Sequence, residues 1–167
     1  FTMKGMTNVF GELDIKDRWN LKIIKVESHE VKSYTPIGMA YVMMRNASFE
    51  SKDISLSYKY GCVNTRDTFT IECEEDSSAC IVDFPGLSLL ETRIFIQECL
   101  DMGNLSYMDG GTNTTAINPG RLGDPVINYV HFPAHMYQTL HTHPSHRVGL
   151  VIRGNGKIEL DNKEYYD

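Results

Sequence analysis

Five of the six histidines, His131, His135, His141, His143 and His146, fall within 16 consecutive positions of this 167-residue chain. Neutral imidazole is a ligand for Zn, Cu, Fe and Ni, and it suits Ca and Mg poorly. Within the group, His141 and His143 belong to the stretch HTHPSHRVGLVIRGNG. On a strand, residues i and i+2 leave the same face about 6.5–7 Å apart. Their rings can therefore converge on one cation held about 2.0–2.1 Å from each nitrogen. Pro144 stops such a strand, Ser145 opens a turn, and the returning strand can offer a third donor at its start. In Arg147–Arg153 the apolar Val148, Leu150 and Ile152 alternate with Arg147, Gly149, Val151 and Arg153, which predicts that His146 faces inward as that third ligand. Gly154-Asn155-Gly156 follows as hairpin chemistry, because Asn and Gly tolerate positive φ. An HxH pair on an exposed strand edge also arises without binding any metal. His131 and His135 read as pocket-lining or hydrogen-bonded side chains, and His29 in SHEVKS as a solvated loop residue.

The elements that must position these residues are short strands separated by turn residues. WNLKIIKVE (Trp19–Glu27) and IGMAYVMMR (Ile37–Arg45) are predicted as the first two, the latter buried and entered from Pro36. DISLSYKY (Asp53–Tyr60) alternates Ile54, Leu56 and Tyr58 against Ser55, Ser57 and Lys59, the period of a half-buried strand. Two further strands, Asp67–Cys73 and Ala79–Phe84, are predicted on either side of an acidic turn, EEDSS. Pro85–Met102 is ambiguous: Ser88 and Glu91 have capping-box spacing, while residues 92–97 alternate as a strand would. Residues 103–124, rich in Gly, Asn and Thr, read as an ordered connector and as the domain boundary. Strands are then predicted at Pro125–Phe132, Gln138–His143, Arg147–Arg153 and Lys157–Asp161, a spacing that fits a sandwich or barrel. The expected fold is all-β, a jelly roll, with a β-rich N-terminal region over 1–103 and a barrel portion over 104–167.

Composition removes several function classes. A net charge of −6 without any basic run argues against a nucleic-acid partner. The longest apolar run, IGMAYVMM, is far shorter than the roughly 18 residues of a membrane span, so no membrane partner is expected. The opening FTMKGM lacks the charged head and apolar stretch of a secretory signal. The four cysteines show no CxxC pairing, and although a disulfide between Cys73 and Cys80 is conceivable, unlinked thiols in the cytoplasm are expected. On that expectation the three sequons, at Asn46, Asn104 and Asn113, carry no glycan.

The run from His141 to Gly154 resembles the first motif of the cupin superfamily, in which an HxH pair is followed by a residue that is usually Glu and then by a closing Gly. The preceding RLGDPVINYVHFPAHMYQTLHTHP is similar to the lead-in strands of small cupins, and the likeness covers about residues 116–167. It implies a jelly-roll (double-stranded β-helix) barrel and a divalent transition metal, Fe, Mn, Ni, Cu or Zn, held by two His, a Glu and a later His. Two departures stand out. Arg147 occupies the place of the usual Glu, and a cation pointing inward there repels a metal. The second motif would lie beyond Asp161, whereas the chain stops at Asp167 after EYYD; either this is the front piece of a longer protein, the favoured expectation because EYYD reads as the front of a strand, or the N-terminal strands close the barrel and the site is incomplete.

The leading expectation is thus a metal-binding cupin-type domain with a small-molecule pocket. His141, His143 and His146 would be the ligands. Arg147 or Arg153 would hold a substrate carboxylate through bidentate hydrogen bonds, with Tyr129 and Tyr137 at the mouth. A bound metal would act as a Lewis acid or dioxygen binder, and nothing in the residues selects oxygenase, isomerase, decarboxylase or lyase, or settles whether the chain is an enzyme at all. Two other expectations remain open. One is a metal-free binding or sensor module for an anionic small molecule; the other is a structural jelly roll forming homo-oligomers through its β edges.

Overall fold

A computed structural model describes residues 12–16, 20–88, 91–98, 102–160 and 163–166. The described chain is all-β and antiparallel. Its strands are β1 (Glu12–Ile15), β2 (Leu21–Val26), β3 (Val31–Tyr34), β4 (Met39–Ser51), β5 (Ser55–Ser57), β6 (Tyr60–Thr65), β7 (Phe69–Phe84), β8 (Arg93–Gln97), β9 (Leu105–Ser106), β10 (Thr112–Ile117), β11 (Ile127–His131), β12 (Lys157–Leu160) and β13 (Lys163–Tyr166). One 3-10 turn, Met108–Gly110, precedes β10. No helix among the described residues is long and apolar enough to cross a membrane.

Eight strands form one sheet in the order β1-β2-β7-β4-β6-β8, with β3 also on β7 and β5 also on β4. The two long central strands explain its shape. β7 pairs with β2 through 79–83 and with β3 through 69–72, while β4 pairs with β6 through 40–45 and with β5 through 48–50. Each long strand therefore has a break opposite its middle, and the sheet bends there. At the bend the β4–β7 register shifts between Arg45 and Ala47, leaving Asn46 at φ 52° facing an excursion of β7 through Asp76 at φ 53°. Polar bonds pin the excursion. Asn46 Nδ2 donates to Asp76 O (3.0 Å), Ser77 Oγ donates to Asn46 O (2.7 Å), and Arg45 pairs with Asp76 (3.1 Å). The predicted acidic turn between two strands is thus a bulge within one strand, with its acidic side chains in solvent.

The left-handed backbone at Asn46 has a packing consequence. Ala40, Val42 and Met44 face the concave side, and after Asn46 the parity changes so that Ala47 and Phe49 face it too. They join Ile24, Val26, Val63, Phe69, Ile71, Cys73 and Ile81 in one buried core, where Phe49 stacks on Phe69 at 5.0 Å. The convex side is covered by later chain. Met39 and Tyr41 pack against Ile117 of β10 and Ile127 of β11, and Ile23, Cys80 and Val82 pack under Val148 and Leu150. Residues on both sides of position 103 therefore share one apolar cluster. β11-β10-β9 form a second sheet and β12-β13 a separate hairpin. The described strands form no closed barrel; what they display of the expected fold is its all-β, antiparallel character.

The sheet's entry turn is tied to Asp83, which is fully buried on β7 and accepts hydrogen bonds from Tyr34 Oη (2.8 Å), Ile37 N (2.7 Å) and Gly38 N (3.1 Å). This close approach is why position 38 is glycine: a Cβ there would lie 2.0 Å from Phe84 O and 2.8 Å from Pro85 backbone atoms. Gly38→Ala is expected to lower unfolding free energy by about 1–3 kcal/mol, measured by urea denaturation. An unchanged midpoint would show that the turn relaxes freely.

Cys62, Cys73 and Cys80 are free thiols, which leaves no Cys73–Cys80 disulfide. The two lie on one strand, Cys73 in the concave core and Cys80 on the convex side.

Candidate functional site

The histidine-bearing segment differs from the expected hairpin. Residues 132–156 contain no strand, so neither Gln138–His143 nor Arg147–Arg153 is part of a ladder. Gly154 does adopt positive φ (88°), without paired strands on either side. The segment is held instead by side chains and by apolar docking. Val148 and Leu150 pack on the convex sheet face, as their alternation with polar residues predicts. At the other end, Thr139 donates both its backbone N–H (2.8 Å) and its hydroxyl (2.7 Å) to Asp109 Oδ2. Asp109 sits in the 3-10 turn at φ 56°, ψ 29°, a left-handed conformation tolerated by Asp in the DGG turn that precedes β10. Thr139's two bonds hold the Asp109 carboxyl below its ordinary range. Asp109 and Thr139 are the residues that sequence reasoning missed; the turn-forming Asp109-Gly110-Gly111 was the available signal.

From Thr139 the hydrogen bonds run on into the histidines. His141 Nδ1 lies 2.7 Å from Thr139 O, so Nδ1 carries the hydrogen and Nε2 is bare. Arg147 Nη2 lies 3.1 Å from His143 Nδ1 and can only donate, so His143 carries its hydrogen on Nε2. That Nε2–H meets the bare Nε2 of His141 at 3.1 Å, with ring centroids 4.8 Å apart and ring planes at 86°. The three bonds thus assign both tautomers without conflict. Partial desolvation, then the charge of Arg147, lowers the affinity of His143 for a second proton, which favours the neutral ring.

Two nitrogens 3.1 Å apart can both lie about 2.0–2.1 Å from a metal with an N–metal–N angle of roughly 100°, between octahedral and tetrahedral values. The third predicted ligand is not with them. His146 is exposed rather than inward, and no three His, Cys, Asp or Glu side chains among the described residues form a metal-binding group. The inward expectation failed because it assumed a strand; without a ladder, alternation assigns no face to residue 146. Arg147 stands where the cupin motif carries Glu, and it points at the pair.

The remaining predicted residues are scattered. Tyr129 lies on β11 opposite Thr114, half-buried. Tyr137 is 69% exposed. Arg153 is exposed, and no hydrogen bond or ion pair among the described residues joins it to the histidines. His131, on β11 opposite Thr112, has a buried Nδ1 without a hydrogen-bond partner, as does Gln138 Nε2, whereas His135 is exposed at φ 62°. His29 lies exposed in a turn, as expected.

Comparison with known proteins adds little. No protein-family model and no curated protein matches the chain. Among solved structures, the crystal structure of an IolB-like protein from Salmonella typhimurium aligns with a TM-score of 0.47 and 12% identity, over 66% of this chain and 49% of that one. The chain thus spans about half the length of that structure. A likeness at this level assigns neither fold nor activity.

Proposed function

We propose that this chain is a cupin-type domain, part of a jelly roll, whose His141–His143 pair binds a divalent transition metal beside a site for an anionic small molecule. The observation that carries the reading is the 3.1 Å separation of the two Nε2 atoms, a fitting bite for one cation. Imidazole nitrogen donors favour Fe, Ni, Cu or Zn over Ca and Mg. With two histidines supplied, the remaining coordination positions are left to water or to oxygen atoms of a ligand. Such a metal would supply Lewis acidity; the reaction class, whether oxygenase, isomerase or lyase, is not selected by the residues. The chain's own contribution is positional: Asp109 holds Thr139, and Thr139 O fixes the tautomer that leaves His141 Nε2 bare.

The test is isothermal titration of nickel or zinc, together with elemental analysis, on protein prepared without a polyhistidine tag. Saturable one-to-one binding is expected, absent in His141→Ala/His143→Ala while the far-UV circular dichroism stays unchanged. Both rings are exposed, which is why the fold should survive their loss. Metal binding that persists in the double variant would sink the proposal.

A second reading has its own observation. Arg147 donates to His143 and faces the pair, a cation where a metal site would carry an anion. On this reading the segment binds a carboxylate without metal through Arg147 and the neutral histidines. Thermal stabilisation by carboxylates that survives a chelator would favour it over the metal site.

A further inference from the structure

Asn155 alone among the asparagines of this chain is followed by glycine. The carboxamide carbon of an asparagine can be reached by the backbone nitrogen of the next residue, closing a five-membered ring. That attack is slowed by a Cβ on the following residue and by any structure that fixes the main chain between the two. Neither obstacle is present at Asn155. Gly156 has no Cβ, and Gly154, Asn155 and Gly156 are exposed and outside every strand. The docked run before them ends at Gly154, with φ 88°, and β12 begins only at Lys157. Among the described residues, neither the Asn155 carboxamide nor the Gly156 N–H is engaged in a hydrogen bond.

Other positions with related chemistry are held or blocked. Asn64 is fully buried, and its Oδ1 accepts from the Arg93 N–H (2.6 Å). Asn46 Nδ2 is tied to Asp76 O (3.0 Å). Asn118 precedes Pro119, whose nitrogen carries no hydrogen. Asp109-Gly110 has the same permissive neighbour, but the two bonds from Thr139 hold its carboxyl ionised, and a carboxylate offers no leaving group.

We propose that Asn155 is a site of spontaneous deamidation, a slow and irreversible modification of the loop between the docked segment and the last hairpin. Hydroxide removes the Gly156 N–H proton, and the nitrogen attacks Asn155 Cγ. The Cγ–Nδ2 bond breaks, and ammonia leaves with a proton from water, which restores the hydroxide. Water then adds to either carbonyl of the resulting succinimide. Opening at one carbonyl gives aspartate; opening at the other gives isoaspartate, whose main chain is one carbon longer. Both products place a new negative charge between Arg153 and Lys157, and the second also lengthens the connection into β12.

The experiment incubates the full chain in mildly alkaline buffer beside a synthetic peptide of residues 152–159 and follows both by peptide mapping with mass spectrometry. Asn155 is expected to convert first, at a rate within about threefold of the peptide, since an exposed loop opens at almost no cost in free energy. The product should appear as a more acidic isoform that is lost in Asn155→Gln. Gly156→Ala should fold normally, because a Cβ there meets nothing within 4 Å, and should slow the conversion several-fold. Retention of the Asn155 amide while the peptide converts would mean that the fold protects it, and would overturn the proposal. Faster conversion at another asparagine, or an unchanged rate in Gly156→Ala, would overturn it equally.

Discussion

Raising the pH from about 8 to about 11 is expected to unfold this domain. The cause is a pair of thiols on the convex face of the large sheet. Cys80 on β7 and Cys62 on β6 flank Met43 of β4 in one cross-strand row. They lie among Val82, Phe84 and Phe95, beneath the layer that carries Leu150 and Ile117. Burial pushes each thiol from its ordinary 9.0 up to about 12; Lys25 opposes this only slightly at Cys80. The sign follows from linkage. A group whose pKa is raised by folding contributes its full stability below the unfolded value, and that stability is lost as pH rises toward the folded value. At about pH 11 the unfolded chain ionises both thiols while the native sheet keeps them protonated, a penalty of about 2.7 kcal/mol per thiol. Two such penalties reach the lower end of a typical domain's total stability of about 5–15 kcal/mol. Cys73, pushed up to about 11, and Tyr34, raised by burial and by its bond to Asp83, act in the same direction. Far-UV circular dichroism against pH should show a cooperative loss between about pH 9 and 12, moved upward in Cys62→Ala/Cys80→Ala. A native spectrum persisting beyond about pH 11.5, or a double variant with an unmoved midpoint, would remove the thiols as the cause.

The second large effect is expected from Asp83→Ala. This carboxylate is fully buried and is the acceptor for the Tyr34 hydroxyl and for the N–H groups of Ile37 and Gly38. Removing it leaves two backbone donors and a hydroxyl without a partner at the entry to β4. Each unmet buried group costs about 1–3 kcal/mol, so a total near 3–5 kcal/mol is expected after partial access of water to Ile37. Asp83→Asn retains one acceptor oxygen and should lose less than half of that. Guanidinium or urea unfolding gives both numbers. A loss below about 1 kcal/mol for the alanine variant would mean that the turn finds other acceptors.

What was legible in the sequence follows from where periodicity is strong. LKIIKV and MAYVMM are buried strands as their apolar runs predict, because a strand covered on both faces needs no alternation. In DISLSYKY the alternation placed Ile54 and Leu56 correctly against the core, but Tyr58 is exposed, because the chain breaks at 58–59 to follow the bend of the sheet. The bend itself was illegible: Asn46 and Asp76 are ordinary polar residues, and only their opposition across two long strands makes a bulge. Arg93–Gln97 is a strand, with Phe95 packed inward and Ile94 and Ile96 exposed; residues 89–90 and 99–101 of the ambiguous stretch lie outside those described. TNTTAI, whose Thr and Asn content reads as connector, is strand β10, since β-branched Thr suits a half-buried sheet. At the site, His141 and His143 were found from their spacing, yet their meeting depends on Thr139 and Asp109 rather than on a strand. Contacts between segments 30 residues apart leave no local pattern to read.

The 16-residue β7 pairs with β2, β3 and β4, and these partners precede it in the chain. That order constrains how the protein comes into being. Until residues 69–84 have been synthesised, β2 and β3 have no neighbour on their β7 side, and β4 has only β5 and β6. During translation the growing chain therefore carries the exposed apolar runs LKIIKV and MAYVMM for as long as β7 is missing, a window in which a holdase would be useful. Closing many long-range pairs at once also raises the entropic barrier, which places this domain among slow, sheet-dominated folders in the millisecond-to-second range.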